Sequence, residues 1–354
     1  MTAEPEIAAY KPCLVEVRGG KSYLWCACGR SRRQPFCDGS HKGTGLEPLR
    51  WTADKNGEVL LCACKHTKSR PFCDGTHNML SETYAEANES DGADAVLVGY
   101  EAYRNGTQRA LLDNGCYVIR ATGENTRRLG TLAVVPLIDA DSGAEHLSQY
   151  LVTAESGASP VIEFPGSDVV LFIESGAGTI RIGSREYKVA RETGVCIKPG
   201  EAFQVVNDEQ ADMIVTVSAC PLGSEMIVHE TMPPDFDQSI PERTQGVDEE
   251  KQQAMGDRFF QVLIDHDSHG TPVTQFIGEI PRSRAAHHHH LYEETIMVLS
   301  GEGFMWTDKT RTPVRPGDTI FLPLKQAHSL ECTSDSGMRL IGLFYPSMSP
   351  AINY

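Results

Sequence analysis

The first eighty residues write the pattern C-x-C-x8-C-x3-H twice, as Cys26, Cys28, Cys37 and His41, then as Cys62, Cys64, Cys73 and His77. The copies lie 36 residues apart, Cys26 to Cys62, which marks an internal duplication. Six thiols and two imidazoles at one repeated spacing oblige a core-poor segment to fold around two metal or cluster sites. Three thiolates and one imidazole suit tetrahedral zinc or an iron-sulfur cluster, and spacing alone does not choose between them. Both copies run P-F-C-D-G-[S/T]-H. Gly39 and Gly75, two residues after the third cysteine, allow a tight backbone turn that swings the histidine back toward the thiols. The runs LVEVR, KSYLWCAC and EVLLCAC read as small strands feeding each site.

The other five cysteines, Cys13, Cys116, Cys196, Cys220 and Cys332, are scattered and read as reduced, partly buried thiols. No apolar run approaches the roughly 18 residues of a membrane span. The N-terminus lacks the basic and apolar parts of a signal peptide, so a cytoplasmic protein is expected. The net charge of −16 is uneven: residues 1–77 hold 12 Lys/Arg against 8 Asp/Glu, and the remainder 20 against 40. A basic module joined to an acidic body serves solubility, or draws in an acidic electron-donor protein. Without a long basic patch interleaved with aromatics, nucleic acid is not an expected partner.

The 354 residues suit two or three domains. Residues 78–105 are acidic and Ala-rich with partly helical periodicity, and mark a boundary. From about residue 110 the chain reads as short β-branched strands between Gly, Pro, Asn and Asp turns: TLAVVPLI, DVVLFIES, TIRIG, GVCIKPG and DMIVTVSAC, then RFFQVLID, VTQFIGEI, TIMVLSGEGFMW, DTIFLP and MRLIGLFY. The connector PPDFDQSIPERTQGVDEEKQQAMGD carries a short helical pattern and separates two β halves. Landmarks recur between the halves, ESGAGTIRI with LSGEGFMWT and GVCIKPGEAF with GDTIFLPLKQAH. The expected division is residues 1–80 as the Cys-rich module, 81–110 as linker, 111–240 as the first β domain and 241–354 as the second.

The second half carries His288-x-His290-x3-Glu294-x6-Gly301, then Gly317-x5-Pro323-x4-His328. Strand alternation sends His288 and His290 to one face, and Glu294 follows on the same parity. His328, after a turn, completes the cage. His287 and His289 offer a competing register within the four-histidine run. Four internal histidines followed by Glu at ligand spacing argue against a tag remnant.

The doubled P-F-C-D-G-[S/T]-H closely resembles the CDGSH iron-sulfur family over about 60 residues. That resemblance implies two [2Fe–2S] clusters, the first on Cys26, Cys28, Cys37 and His41 and the second on Cys62, Cys64, Cys73 and His77. A neutral imidazole in place of a thiolate raises the potential, as in Rieske centres, and lets electron transfer couple to a proton near neutral pH. The chain resembles the soluble tandem members, in which pairing two chains through this module is unnecessary. The His/Glu motifs resemble the cupins, small β-barrels that hold one divalent metal by three His and one Glu. The implied ligands are His288, His290, Glu294 and His328, with HHHLYEE matching the H-x-H-x-Y-E-E form. Lys325 departs from that family, standing where glycine is usual. The expected fold is therefore mainly β, a small tandem CDGSH module followed by two cupin β-barrels. Aligning glycines and prolines of the two halves puts Glu163, Pro165, Val169 and Gln204 opposite the four ligands, so the first cupin is expected to be degenerate and metal-free.

A mixed His/carboxylate site with open positions favours Fe(II), with Mn, Ni, Co and Zn as alternatives. An isomerase needs no electrons, whereas an iron oxygenase uses them. The expected function is a non-haem iron oxygenase acting with O₂ on a small polar metabolite, with the clusters relaying electrons to the cupin metal. The alternatives are a metal-dependent isomerase, lyase or hydrolase, and a non-enzymatic cluster carrier or sensor. Arg284 shares parity with the ligands and could meet an anionic substrate, and Tyr292 is a second candidate, though both suit packing. Thiol dioxygenation is disfavoured because those enzymes usually lack the carboxylate that Glu294 supplies. A homodimer through the cupins is a further expectation.

Overall fold

The computed structural model describes residues 4–80, 94–124, 126–222, 226–255, 257–285 and 287–351. Its contacts divide the chain into two units, Met1–Ala87 with Ser349–Tyr354, and Asn88–Met348.

In the N-terminal unit the duplicated halves exchange strands. Cys13–Val17 pairs antiparallel with Gly57–Leu61, and Ser22–Trp25 with Leu49–Thr52. Each strand running into a C-x-C therefore takes its partner from the other copy, so neither repeat is a sheet alone. Equivalent bridges, Trp25 to Phe36 and Leu61 to Phe72, fold each loop back over its own strand. The core is small, Trp25, Ala27, Leu61, Cys62 and Cys64. So small an apolar core supplies little stability by itself.

Among the described residues the second unit is mainly β, with each half a pair of facing sheets. The first half sets a seven-stranded sheet (order Thr244–Gly246, Thr193–Ile197, Asp168–Ser175, Met213–Cys220, Ser148–Ala154, Leu132–Ile138, Arg127–Leu129) against a smaller one containing Val161–Glu163, Ala177–Ile182 and Phe203–Asn207. The second half repeats this with nine strands, centred on Thr274–Ile280, Met338–Tyr345, Glu293–Ser300 and Asp318–Leu322, against four. The expected strands form. The connector's helical pattern yields only the 3-10 turn Glu249–Lys251.

Pairing crosses the boundaries drawn from sequence. Glu101–Ala102, Thr107–Leu111 and Tyr117–Ala121 extend the large sheet of the second half, Tyr117–Ala121 lying antiparallel to Asp318–Leu322. Val96–Leu97 joins that half's small sheet alongside Thr310–Val314. Thr244–Gly246 instead edges the first half's large sheet beside Thr193–Ile197. The supposed linker from residue 94 and the start of the first β domain thus complete the second cupin; residues 81–93 lie outside the described set. Local pattern names a strand but not its partner, which is why sequence placed these segments by proximity.

The two large sheets also pack face to face. Val134, Val152, Val169 and Leu171 point into the first half's interior, while their neighbours Val135, Val170 and Phe172 meet Ile277, Met297 and Ile341 of the second. Burial on both faces explains runs such as DVVLFI, in which apolar residues do not alternate. A chain beginning at residue 123 loses the strands bordering Asp318–Leu322. It should aggregate or lose cooperative unfolding, whereas one beginning at residue 94 should keep it; equal cooperativity in thermal scans would contradict the strand exchange.

Candidate functional site: paired thiolate sites and a histidine-glutamate cage

The structure brings the ligands expected in the N-terminal unit together in pairs, two pairs in each copy. Cys26 and Cys28 Sγ lie 3.7 Å apart, and Cys37 Sγ is 3.1 Å from His41 Nδ1. In the second copy Cys62 and Cys64 Sγ are 3.4 Å apart, and Cys73 Sγ is 3.3 Å from His77 Nδ1. The donors fit a thiolate-rich iron centre in each copy, with backbone N–H groups directed at sulfur from Gly39 (3.4 Å) and Lys65 (3.2 Å). Gly39 and Gly75 adopt φ of 95° and 83°, the left-handed turn the motif required. Asp38 and Asp74 brace the two loops alike, accepting backbone N–H bonds from Arg32 and Ser40, and from Lys68 and Thr76.

One difference between the copies lies beside the thiols. Gly29 (φ 81°) is matched 36 residues on by Lys65 (φ 70°), whose side chain is fully buried. Its ammonium donates to the Cys62 carbonyl at 2.9 Å and sits 4.8 Å from the Trp25 ring centroid. Burial lowers the Lys65 pKa, opposed by the fields of Cys26, Cys62, Cys13 and Cys64. Hydrogen bonding from Cys64 draws Cys62 down to about 6, and the shared proton raises Cys64. Burial pushes Cys73 up to about 12. The histidines differ too: His77 is buried, while His41 directs Nε2 at Glu47, 3.5 Å away. Sequence reasoning passed over Lys65, although its place opposite a glycine was the available signal.

In the second unit His288, His290 and His328 offer ligand atoms within 4.8 Å of one another. His288 and His328 exchange backbone hydrogen bonds of 3.0 and 2.9 Å, which locks the two motifs in register. Glu294 projects from the central strand Glu293–Ser300, 3.6 Å from His290 Nε2. The three histidines brought together belong to the preferred register; His287 instead lies 3.5 Å from Arg284 through Nδ1. His328 Nδ1 faces the Gln326 carbonyl at 2.8 Å. Donation there leaves Nε2 as the ligand-capable nitrogen. Tyr292 stacks between His290 (4.5 Å) and Phe344 (4.0 Å) and fixes the ring plane. Arg284 lies on the Trp306 ring at 3.8 Å, a packing contact.

Glu294 Oε2 is buried without a hydrogen-bond partner. Desolvation raises that carboxyl to about 8 and lowers His328 to about 4. A buried lone carboxylate beside three imidazoles is costly unless a cation joins them, so the donor set fits a divalent metal. Lys325 explains its own oddity: at φ 64° it occupies the left-handed turn that glycine takes without strain, and its N–H donates to the His290 carbonyl at 2.9 Å.

The first half corrects the alignment. Ile162 pairs with Phe203 where His288 pairs with His328, and Val169 pairs with Ile197 where Glu294 pairs with Leu322. Ile162, Phe164, Val169 and Phe203 therefore occupy the ligand positions. Glu163 and Gln204 point the other way, to His229 (2.7 Å) and to the Ser159 carbonyl (2.6 Å). One residue more in the turn before Asp168–Ser175 shifts the parity at Glu163, and one residue fewer from Pro199 to Phe203 than from Pro323 to His328 shifts it at Gln204; a one-residue slip reverses every side chain. These four positions carry no metal-ligating group.

Comparison with known proteins defines the class. Residues 6–42 and 46–78 match the family described as iron-binding zinc finger, CDGSH type, and residues 279–344 match the cupin domain. The chain carries two CDGSH modules and a cupin. The N-terminal unit is similar to mouse and human CDGSH iron-sulfur domain-containing protein 3, mitochondrial, at 52% identity over 55 and 59 residues, 15% and 16% of this chain. The chain spans 40% and 46% of the length of those relatives. The β body shares its fold with E. coli Ylba (TM-score 0.53, 14% identity, 69% of this chain and 97% of that one). It also resembles a deletion mutant of Bacillus subtilis oxalate decarboxylase (TM-score 0.51, 12% identity, 64% and 76%). Among the described residues no helix is long and apolar enough to cross a membrane.

Two outcomes follow. Replacing Lys65 by Met removes a buried positive charge whose field reaches Cys26 of the first set as well as Cys62 and Cys64 of the second, and should lower the midpoint potentials by on the order of 100 mV. An EPR-monitored redox titration with both potentials unmoved would contradict this. At pH 7 Glu294 is mostly protonated and His328 neutral, so metal uptake should release about one proton and weaken as pH falls below 8. Proton release measured in weak buffer checks it, and none should be seen in Glu294→Gln.

Proposed function

We propose that the chain is a non-haem iron oxidoreductase of the oxygenase type, acting on a small polar metabolite in the second cupin. The buried Glu294 carboxylate, partnerless at Oε2 beside three converging imidazoles, carries this reading. Fe(II) held by His288, His290, Glu294 and His328 would supply Lewis-acid and one-electron chemistry toward O₂. The chain's part is to hold those donors in one geometry. The Gln326 carbonyl fixes the His328 tautomer, and the Tyr292–Phe344 stack fixes His290. Phe276 and Phe344, 5.8 Å apart, add apolar wall beside that stack.

In this reading [2Fe–2S] clusters on the two cysteine-histidine sets serve as the electron supply. The ring series Phe36–Tyr23–Trp51–Phe72, with neighbouring centroids 5.6, 5.7 and 5.2 Å apart, joins residues that immediately precede Cys37 and Cys73. The basic balance of residues 1–77 suits an acidic donor protein.

The test needs no knowledge of the substrate. Protein reduced with limiting dithionite is mixed with O₂, and cluster reoxidation is followed by stopped-flow absorbance. Removing the cupin metal through His290→Ala or Glu294→Ala should slow the O₂-dependent phase about tenfold or more, with cluster content unchanged. Identical rates would favour a metal-dependent lyase, the class named by the oxalate decarboxylase fold neighbour, with clusters outside its reaction.

A further inference from the structure

The first cupin has exchanged its metal site for a cavity. Ile162, Phe164 and Phe203, at three of the four ligand positions, line a void of about 700 Å³ together with Val152 and Val205 from the facing sheets. Well-packed interiors leave few voids larger than a water molecule, and small-molecule sites typically span about 300–1,000 Å³. The cavity is open to solvent on one side, and its apolar wall suits a hydrocarbon group. The lining also carries the polar residues Arg127, Asp139, Asp141, Ser148 and Tyr150, with Ser148 hydrogen-bonded to the Tyr150 hydroxyl.

The charges there are unequally committed. Arg104 binds both Asp139 and Asp141, and Asp139 also caps the turn at Ser142. Arg127, exposed at the rim, has no ion pair among the described residues, and its field and that of Asp139 act on the Tyr150 hydroxyl in opposite senses. The Tyr150 ring leans on Phe164 at 6.0 Å, so its hydroxyl stands at the junction of apolar wall and polar rim.

We propose that this cavity binds an apolar monocarboxylate, aliphatic or aromatic. The hydrocarbon body lies among Ile162, Phe164 and Phe203, and the carboxylate meets the Arg127 guanidinium and the Tyr150 hydroxyl. The site is separate from the histidine-glutamate cage and does not rest on the oxidoreductase reading.

Full-length protein is titrated calorimetrically with decanoate and with decanol. Decanoate should bind one per chain, about fivefold or more tighter than decanol, and Arg127→Gln should bring the two together. Filling the void by Val205→Trp, or by Val152→Phe should the first variant misfold, should weaken decanoate about tenfold or more with the near-UV spectrum retained. His288→Ala should leave decanoate binding as it was. No saturable binding, equal affinity for decanol in the unsubstituted protein, or indifference to both filling variants would overturn the proposal.

Discussion

The burial of the two large sheets against one another fixes most of what the second unit can do. A central strand with both faces buried must divide its side chains by parity, one set to its own interior and one to the partner half. The consecutive glutamates of the strand Glu293–Ser300 show the effect. Glu294 faces the imidazole cage, and Glu293 turns outward to accept the backbone N–H groups of residues 145, 146 and 147 at 2.8, 3.0 and 2.8 Å. Thr295 follows Glu293 outward to receive Gln149 at 3.1 Å. One glutamate is satisfied by backbone N–H groups, and the other is buried with Oε2 outside any hydrogen bond. The packing of the halves thus sets the register on which the cage depends.

Both units are built by duplication, with different results. In the N-terminal unit the copies interchange strands, so each donor set is held by both, and neither can lose its ligands without weakening a shared core of few residues. Divergence there spares the ligands and includes a buried charge, Lys65 against Gly29. The cupin halves each have an ample core. The first can exchange ligands for Ile162, Phe164 and Phe203 and remain folded, because apolar side chains inside a sandwich stabilise it. The retained cage and the acquired cavity are two uses of one architecture.

The donors were the most legible part of the sequence, because cysteine and histidine at fixed spacing serve few purposes besides ligation. In the structure Cys26 meets Cys28, Cys37 meets His41, Cys62 meets Cys64 and Cys73 meets His77, while His288, His290 and His328 converge with Glu294 beside His290. Strands too were readable, being β-branched runs between turn residues. What escaped was long-range pairing: Tyr117–Ala121, with Thr107–Leu111 and Glu101–Ala102, completes a sheet whose other six members begin beyond residue 250. The degenerate half escaped by a single residue. Landmark glycines and prolines align Glu163 with His288, but the turn before Asp168 carries one residue more than its counterpart, so the inward position belongs to Ile162. Lys325 stands out in the sequence without its cause, which is the left-handed turn only the folded chain reveals.

On the proposed reading one chain carries two kinds of iron centre, clusters on paired cysteine-histidine sets and a sulfide-free ion in the second cupin. Iron and acid-labile sulfide counts on anaerobically purified protein, joined to EPR before and after reduction, address it directly. The account predicts about four sulfides and about five irons per chain, two distinguishable reduced [2Fe–2S] signals, and loss of about one iron with no sulfide in His288→Ala. Zinc without sulfide in the N-terminal unit, or an iron-to-sulfide ratio unchanged by His288→Ala, would contradict it.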